Sequence, residues 1–296
     1  MAHLCNLECN IIKMQNNNWF TEECTECGTA FSLKIEEKLH EEQTPYQKIE
    51  IYSTKNFGRL MVIDGFVMLT ERDNFIYHEM LSHPALFSHP RPQNVLIVGG
   101  GDCGTLQEVS KHKCVEEITQ VEIDQRVTEL SHEHFPELCE KNVDPRVKFI
   151  FNDAIKWVQD AQAESIDLII VDCTDPVGPA AGLFSTPFYK DCLRILKTGG
   201  LVVQQSESPL VHLESIIKPM HQCMVQAGFN KPELLHFPIA TYPTGWWTAT
   251  IASKNDAIYF SREQESRSLK FETRYYNHAM HLACFASPQF VSTQLK

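Results

Sequence analysis

Apolar and polar residues alternate through residues 31–70 in the manner of β-strands that bury one face. The alternation starts with Phe31, Leu33 and Ile35, which are separated by single polar residues. Farther along, two apolar runs flank Asp64-Gly65, a dipeptide that favours the tight turn of a β-hairpin. The pattern therefore predicts an antiparallel meander near the N-terminus.

A different pattern begins at Asn94, where short apolar runs alternate with helix-like stretches. The predicted strands are 95–98, 118–123, 147–151, 166–171 and 201–203. The predicted helices include 105–111, 154–160 and 187–196. Such alternation is typical of βαβ units that build a parallel sheet buried on both faces. Because ligands of these sheets bind beyond the carboxyl ends of the strands, polar residues at those ends are the candidates for a site.

The change of pattern divides the 296 residues into an N-terminal β domain at 1–75 and a larger α/β domain at 76–296. Residues 70–80 are interpreted as the connection between the two regions. The chain is 43% hydrophobic, yet it contains no apolar run near the ~20 residues that span a bilayer. The first residues also lack the basic head and apolar body of a signal peptide. A globular protein without a membrane partner is therefore expected.

The composition of the chain indicates its cellular compartment and the kind of partner that it binds. Eleven cysteines, an odd number scattered through the chain, favour reduced thiols and a cytoplasmic location over a disulfide framework. Cys5, Cys9, Cys24 and Cys27 could bind zinc, but their loose spacing favours free thiols. The net charge of −12 argues against nucleic acid as a partner and weakly favours cationic small molecules.

A glycine-rich turn follows the first of the predicted parallel strands. Residues 99–104 read Gly-Gly-Gly-Asp-Cys-Gly and contain G-x-G-x-x-G, which lets the backbone approach a nucleotide closely. Glu122 ends the next strand, where a carboxylate accepts hydrogen bonds from ribose hydroxyls. Asp102 would repel a pyrophosphate in this turn and attract a cation. The turn therefore favours adenosine joined to a cation, as in S-adenosylmethionine or its decarboxylated form, over a dinucleotide.

Two further strand ends carry carboxylates. Asp153 follows the third strand, where it could bind adenine, cap the next helix, or do both. The strand 166–171 is followed by Asp172 and Asp175, and the prolines and glycine behind them keep this loop out of regular structure. Paired carboxylates at such a rim suit a ligand that carries positive charge.

These motifs occur together in a known order. The chain resembles the spermidine synthase family, whose members transfer an aminopropyl group from decarboxylated S-adenosylmethionine to putrescine. The resemblance runs from about Trp19 to Phe290. The segments that carry it are 70–80 (TERDNFIYHEM), 99–102, 121–124, 172–179 and 243–245.

The resemblance implies roles for three groups of side chains. The group that would act on the attacking amine is Asp172 with Tyr77. The group that would hold the ribose, the adenine amine and the aminopropyl ammonium of the donor comprises Gln47, Glu122, Asp153, Asp102 and His78. The group that would line the diamine pocket comprises Trp19, Asp175, Gln205, Glu207 and Tyr242.

The resemblance also implies an architecture and partners. The expected fold is α/β, with a Rossmann-like sheet of the methyltransferase type behind a small N-terminal antiparallel β domain. Homodimers or homotetramers are expected, with putrescine and the decarboxylated donor as small-molecule substrates and with no metal or cofactor. Trp246-Trp247 departs from the family pattern, in which smaller or aliphatic residues are common, and this bears on the size of the acceptor.

The expected chemistry explains the need for a carboxylate. The sulfonium donor is already activated, whereas a primary ammonium with a pKa of about 10 is free amine in roughly one molecule per thousand at pH 7, a penalty of ~4 kcal/mol. A carboxylate that accepts the proton addresses this penalty, and alignment of amine and carbon supplies the remainder. Asp172 is the predicted base.

Three other functions compete with this interpretation. Methyl transfer from intact S-adenosylmethionine to putrescine is disfavoured because Asp102 would repel the extra carboxylate of that donor. An NAD-dependent dehydrogenase is disfavoured because Asp102 lies in the phosphate turn. A catalytically silent polyamine-binding protein would be expected to lose Asp172 or Tyr77, and both are present. The choice among putrescine, cadaverine, agmatine and spermidine stays open at this point.

Overall fold

The structure, a computed structural model, describes residues 18–25, 28–176, 178–255 and 257–295. The start of the predicted N-terminal domain lies outside the described residues, as do Cys5, Cys9 and Cys27 of the possible zinc site. Within the described ranges each cysteine is a free thiol. No helix in the described part of the chain is long and apolar enough to cross a membrane.

The N-terminal region forms a five-stranded antiparallel meander in which neighbouring strands follow chain order. Its strands are β1 (Trp19–Cys24), β2 (Thr29–Gln43), β3 (Lys48–Thr54), β4 (Gly58–Ile63) and β5 (Phe66–Thr70). Asp64 and Gly65 join β4 to β5 with φ of 51° and 89°, the positive values that a two-residue hairpin turn requires. The predicted meander is thus confirmed, with β1 added before it.

The second sheet has seven strands in the order β11-β12-β10-β9-β6-β7-β8. They are β6 (Asn94–Gly99), β7 (Glu117–Glu122), β8 (Val147–Phe151), β9 (Ile166–Asp172), β10 (Leu196–Gln205), β11 (Glu233–Pro238) and β12 (Trp246–Ser253). Five of these strands are parallel, but β12 pairs antiparallel with both β10 and β11. The α/β prediction is confirmed, and the sheet is mixed, not purely parallel.

Helices surround this sheet. They are α1 (Asn74–Ser88), α2 (Gly104–Ser110), α3 (Gln125–His134), α4 (Ala154–Asp160), α5 (Thr186–Ile195), α6 (Lys218–Ala227), α7 (Glu263–Arg267), α8 (His278–Cys284) and α9 (Gln289–Gln294). Short 3₁₀ or π turns occur at Pro136–Leu138, Glu140–Val143, Gly178–Phe184, Leu213–Ile217 and Pro243–Gly245.

Residues 70–80 follow the last strand of the N-terminal sheet, and this connection is helical from Asn74 onward, where α1 begins. Nearly every residue of α1 is buried, so the helix lacks the polar stripe that normally makes a helix visible in a sequence. The predicted domain boundary at residue 75 falls in the first turn of α1 and stays a prediction.

The central strands are buried on both faces. Val95 and Ile97 of β6 belong to a core cluster that includes α1 and α2, whereas Leu96 and Val98 belong to a cluster that includes α5 and α6. Alternate residues of a strand point to opposite faces, so burial of both faces produces the uninterrupted apolar runs of the sequence.

The N-terminal sheet packs against α3. Ile51 and Met61 share a core cluster with Val127 and Leu130 of this helix. Since α3 follows β7 directly, this packing carries the N-terminal sheet to the carboxyl edge of the second sheet. In the sheet, β6 lies between β7, which follows it in the chain, and β9, which comes later. Strand order reverses at β6, and doubly wound sheets open a ligand-binding crevice at such a position.

Candidate active site

A cavity of about 410 Å³ lies at the carboxyl ends of β6, β7 and β9. Its lining includes residues 98–102, 121–123 and 172–175, which end or follow these three strands. The N-terminal sheet supplies further lining from residues 61–68. The predicted site residues that the cavity brings together are Gln47, Tyr77, Asp102, Glu122, Asp153, Asp172, Asp175 and Tyr242.

Asp172, the last residue of β9, is 8% exposed. Its two carboxylate oxygens accept hydrogen bonds from the hydroxyls of Tyr77 at 2.7 Å and Thr105 at 2.6 Å. Burial, followed by the charge of Asp102, raises the pKa of Asp172 to about 6, although both hydrogen bonds oppose the rise. The carboxyl is therefore held in one orientation and is more basic than an ordinary aspartate.

Two helices bring these hydroxyls to β9. Tyr77 lies in the first turn of α1, and Thr105 lies in the first turn of α2. At the start of α1, Asp73 accepts hydrogen bonds from the backbone N–H and the hydroxyl of Thr241 at 3.1 and 3.0 Å. This contact ties α1 to the loop that carries Tyr242, so the two tyrosines are positioned together.

Asp102 and His78 form a pair at the glycine turn. Asp102 lines the cavity and accepts a hydrogen bond from the Gly104 N–H at 2.7 Å, while His78 Nε2 lies 3.3 Å from Asp102 Oδ1. Burial lowers the pKa of His78, but the charge of Asp102 outweighs it and the pKa is raised overall. Burial likewise raises the pKa of Asp102, and the charge of His78 reverses this. His78 is 2% exposed and is absent from the lining of the cavity, and its contact with the donor stays a prediction.

Glu122 ends β7, Gln47 lies in the loop between β2 and β3, and both line the cavity and share one partner. The backbone N–H of Asp124 donates to Glu122 Oε1 at 2.9 Å, and Gln47 Nε2 donates to Asp124 Oδ2 at 3.1 Å. Asp124 also caps α3 by accepting from the Arg126 N–H at 3.1 Å. Burial raises the pKa of Glu122 to about 7. A helix cap thus orients both residues that were predicted to bind the ribose.

Asp153 combines the two interpretations of its sequence position. Its side chain accepts a hydrogen bond from the Ile155 N–H at 2.8 Å and caps α4, so the capping interpretation is confirmed. The residue also lines the large cavity. Contact with adenine stays a prediction.

A smaller cavity of about 40 Å³ shares part of its lining with the large one. The shared residues include Tyr77, Tyr242 and 173–175. Gln205, a predicted acceptor residue, also lines the small cavity, and its Nε2 lies 3.4 Å from the Thr174 carbonyl oxygen. Asp175, Gln205 and Tyr242 are therefore brought together as predicted for a diamine pocket.

Glu207 lies behind this cavity. It is 1% exposed, does not line either cavity, and accepts a hydrogen bond from Gln205 Nε2 at 3.3 Å. Its other carboxylate oxygen is 3.4 Å from His212 Nδ1. Burial, followed by the charge of Asp175, raises the pKa of Glu207 well above its ordinary value. Glu207 thus contacts Gln205, and its contact with the acceptor stays a prediction.

Comparison with known proteins decides the family. The model of the spermidine synthase tetramerisation domain matches residues 18–71, and the model of the spermine/spermidine synthase domain matches residues 74–262. The second match alone covers more than half of the chain. The chain belongs to the spermine/spermidine synthase family.

Individual members of the family match over nearly their whole length. The polyamine aminopropyltransferase of Thioalkalivibrio sulfidiphilus is 61% identical over 95% of this chain and 98% of that protein. The corresponding protein of Methylococcus capsulatus is 54% identical, with 94% and 97% covered. The chain is therefore an aminopropyltransferase.

Solved spermidine synthases share the fold. One, in complex with the transition state analogue AdoDATO, aligns with a TM-score of 0.89 and 33% identity over 95% of this chain and 96% of that one. The enzyme from Thermotoga maritima aligns with a TM-score of 0.86 and 33% identity, with 94% of both chains covered. The predicted Rossmann-like, methyltransferase-type architecture is confirmed.

The family resemblance implied Trp19 as an acceptor residue, but the structure does not bring it to either cavity. Trp19 is 44% exposed on β1. Because side chains alternate along a strand, Trp19 shares its face with exposed Thr21 and Glu23, whereas Phe20 and Glu22 face the interior. Glu22, not Trp19, is the β1 side chain that lines the small cavity.

Three residues of the site were not predicted from the sequence. Thr105 directly follows the glycine turn at the start of a helix, and Asp124 is a helix N-cap. The local sequence around each could therefore have indicated a position near the site. The sequence indicates the position of Glu22 less clearly, because only its alternation with Phe20 along the strand shows which way the side chain faces.

Proposed function

We propose that this aminopropyltransferase moves the aminopropyl group of decarboxylated S-adenosylmethionine to putrescine, giving spermidine and methylthioadenosine by direct in-line displacement. The observation that carries the proposal is the buried Asp172 carboxyl, held by Tyr77 and Thr105 in the large cavity. The small, acid-lined cavity adjoins it through Tyr77 and Asp175.

The large cavity suits the donor. Glu122 and Gln47 are available for the ribose and Asp153 for the adenine amine. Asp102 supplies a negative charge at the glycine turn, which complements the aminopropyl ammonium. The same charge disfavours both a pyrophosphate and the carboxylate of intact S-adenosylmethionine. The apolar residues Val98, Val121 and Ile155 line the same cavity, as an adenine ring requires.

Asp172 acts as the base in this proposal. One ammonium of putrescine transfers a proton to the carboxylate, and the resulting amine attacks the carbon beside the sulfonium. The carbon–sulfur bond breaks as the carbon–nitrogen bond forms, and methylthioadenosine leaves as a neutral thioether. The rise of the Asp172 pKa to about 6 makes this carboxylate roughly 3 kcal/mol more basic than at its ordinary value. The sulfonium already activates the carbon, so the proposal needs no metal or cofactor and treats the donor as a substrate.

The wider setting of the enzyme is proposed on the same basis. A match to the spermidine synthase tetramerisation domain supports a homotetramer, or a homodimer as its smaller unit. The free thiols and the family chemistry support a cytoplasmic location. The acidic charge of −12 supports small cationic substrates over nucleic acid.

The direct test is product identification. The purified enzyme is incubated with decarboxylated S-adenosylmethionine or intact S-adenosylmethionine and a panel of amines, and the products are identified by mass spectrometry. Spermidine and methylthioadenosine from putrescine and the decarboxylated donor are expected. A methylated amine formed from the intact donor would overturn the donor assignment.

The pH profile tests the role assigned to Asp172. The base must be ionised, so kcat/KM is expected to fall as the pH drops below about 6. Thr105→Val removes a hydrogen bond that favours the ionised carboxylate, so the pKa should rise and the acid limb should move to higher pH by about one unit. Thr119→Val, at a buried threonine that lines neither cavity, serves as the control. An acid limb that stays in place in Thr105→Val would argue against Asp172 as the titrating base.

A further inference from the structure

The far end of the small cavity contains a buried acid that the assigned roles do not use. Glu22 on β1 is 8% exposed and lines this cavity together with Asp175. Its hydrogen bond among the described residues comes from the Val67 N–H, which donates to Oε2 at 2.7 Å. Burial raises the pKa of Glu22 to about 7, and the charge of Asp175 adds to this rise. Two carboxyls thus meet at one small space.

The described lining of the cavity offers no cation to compensate these acids. It contains neither lysine nor arginine, and its remaining members are aromatic, aliphatic or neutral polar residues. Removing a carboxylate from water without a compensating positive charge is costly, so a cation that enters this cavity would be favoured. An ammonium that enters from the large cavity would meet Asp175 and Glu22.

Trp247 lines the same cavity. It is 5% exposed, and its ring meets Tyr242 edge-on with centroids 4.8 Å apart. Its indole N–H has no acceptor among the described residues, which is unusual for a buried donor. A cavity of about 40 Å³ has room for roughly three water-sized groups. The space is therefore of the right size for the end of a short chain.

The neighbouring Trp246 provides a contrast. Its ring packs against His236 and Phe290, and it lines neither cavity. Alternation along β12 places the two tryptophans on opposite faces of the sheet. Of the two adjacent tryptophans, only Trp247 lines the small cavity.

We propose that Glu22 and Trp247 set which diamine the enzyme accepts. Glu22 binds the distal, non-reacting ammonium, and Trp247 blocks chains longer than that of putrescine. The inference rests on the proposed function and specifies the acceptor for the same site. It assigns to the N-terminal sheet a direct part in substrate selection.

The chain-length part is tested with diamines of four, five and six carbons. Wild-type enzyme is expected to lose about tenfold or more in kcat/KM for each added methylene, since a methylene that does not fit is worth roughly 10- to 200-fold. Trp247→Ile should recover at least about tenfold of this loss for the longer diamines. Trp246→Ile should keep the wild-type preference. An unchanged preference in Trp247→Ile would overturn the role of Trp247.

The charge part is tested by comparing a diamine with a monoamine. In Glu22→Gln, the KM for putrescine should rise about tenfold or more, while the KM for butylamine, which lacks the distal ammonium, should not change. Glutamine keeps an oxygen for the Val67 N–H, and Glu23→Gln on the exposed face of β1 is the matched control. Equal effects on both amines, or no effect, would overturn the role of Glu22.

The outcomes separate this inference from the proposed function. If wild-type enzyme gives no aminopropylated product with any diamine, the proposed function fails and the inference fails with it. If spermidine forms and both variants keep wild-type preference and KM, only the inference fails. Thermal melting of each variant, compared with its matched control, detects a folding defect, and putrescine binding measured by calorimetry in the presence of methylthioadenosine supplies a readout independent of turnover.

Discussion

Replacement of Asp172 by asparagine is expected to lower kcat by about 10²- to 10⁴-fold, the usual contribution of a positioned general base. Asparagine has the same shape, and it can still accept from the Tyr77 hydroxyl and donate to the Thr105 hydroxyl. The variant therefore removes the proton acceptor while it preserves the geometry. Binding of methylthioadenosine, measured by calorimetry, should stay close to the wild-type value.

The control for this variant is Asp160→Asn, at an exposed carboxylate at the end of α4. It should keep wild-type turnover. The acid limb of the wild-type pH profile should disappear in Asp172→Asn, because that limb reports ionisation of Asp172. Turnover near the wild-type rate, or an unchanged acid limb, would show that another group accepts the proton.

The local pattern of apolar and polar residues was sufficient to predict much of the fold. The runs 95–98 and 166–171 were visible as strands because burial on both faces leaves an uninterrupted apolar segment. Asp172 was visible for the same reason, since a carboxylate at the end of such a strand contrasts with its surroundings. The strands β11 and β12 were not predicted, and their antiparallel pairing depends on contacts of β12 with β10 and β11 that no local pattern reports.

The rest of the site depended on tertiary packing. Helix α1 was missed because it is buried on all sides, and with it the first-turn position that aims Tyr77 at Asp172. The contacts of His78 with Asp102 and of Glu207 with Gln205 could not be predicted from motif order, because a motif does not show which side chains become neighbours in the fold. Trp19 illustrates the same limit, since the facing of a strand residue depends on the register of β1 against β2.

Several carboxyls are buried in one region of the site, and they are compensated to different degrees. Asp102 is offset by His78, and Asp172 by two hydroxyls. The pKa of Asp172 is nevertheless raised to about 6, and those of Glu22 and Glu122 are raised to about 7, in each case with burial as the largest cause. A site of this kind is least stable when empty and gains most from ligands that supply positive charge or hydrogen-bond donors, which is the behaviour expected of pockets for a diamine and an adenosyl cation.

Replacement of Gly99 by alanine is expected to destabilise the protein by roughly 2–4 kcal/mol and to abolish most of the activity. Gly99 has φ of 79°, and a Cβ atom there would lie 2.2 Å from the Asp172 carbonyl oxygen. That oxygen accepts a hydrogen bond from the Gly100 N–H at 2.8 Å, which holds the end of β9 beside the glycine turn. Since backbone on both sides must move apart, the methyl group would displace Asp172 from its hydroxyl partners as well as strain residue 99.

Gly65→Ala is the control that separates the steric clash at Gly99 from backbone strain. It introduces the same kind of strain without a clash. Gly65 has φ of 89° but open space around its Cβ position, so its substitution should cost only about 1 kcal/mol. Urea unfolding followed by circular dichroism, at one fixed protein concentration because assembly contributes to stability, measures both variants. A Gly99→Ala variant no less stable than Gly65→Ala would mean that β6 and β9 do not approach each other this closely at the glycine turn. In that case the turn could not be what fixes the position of Asp172.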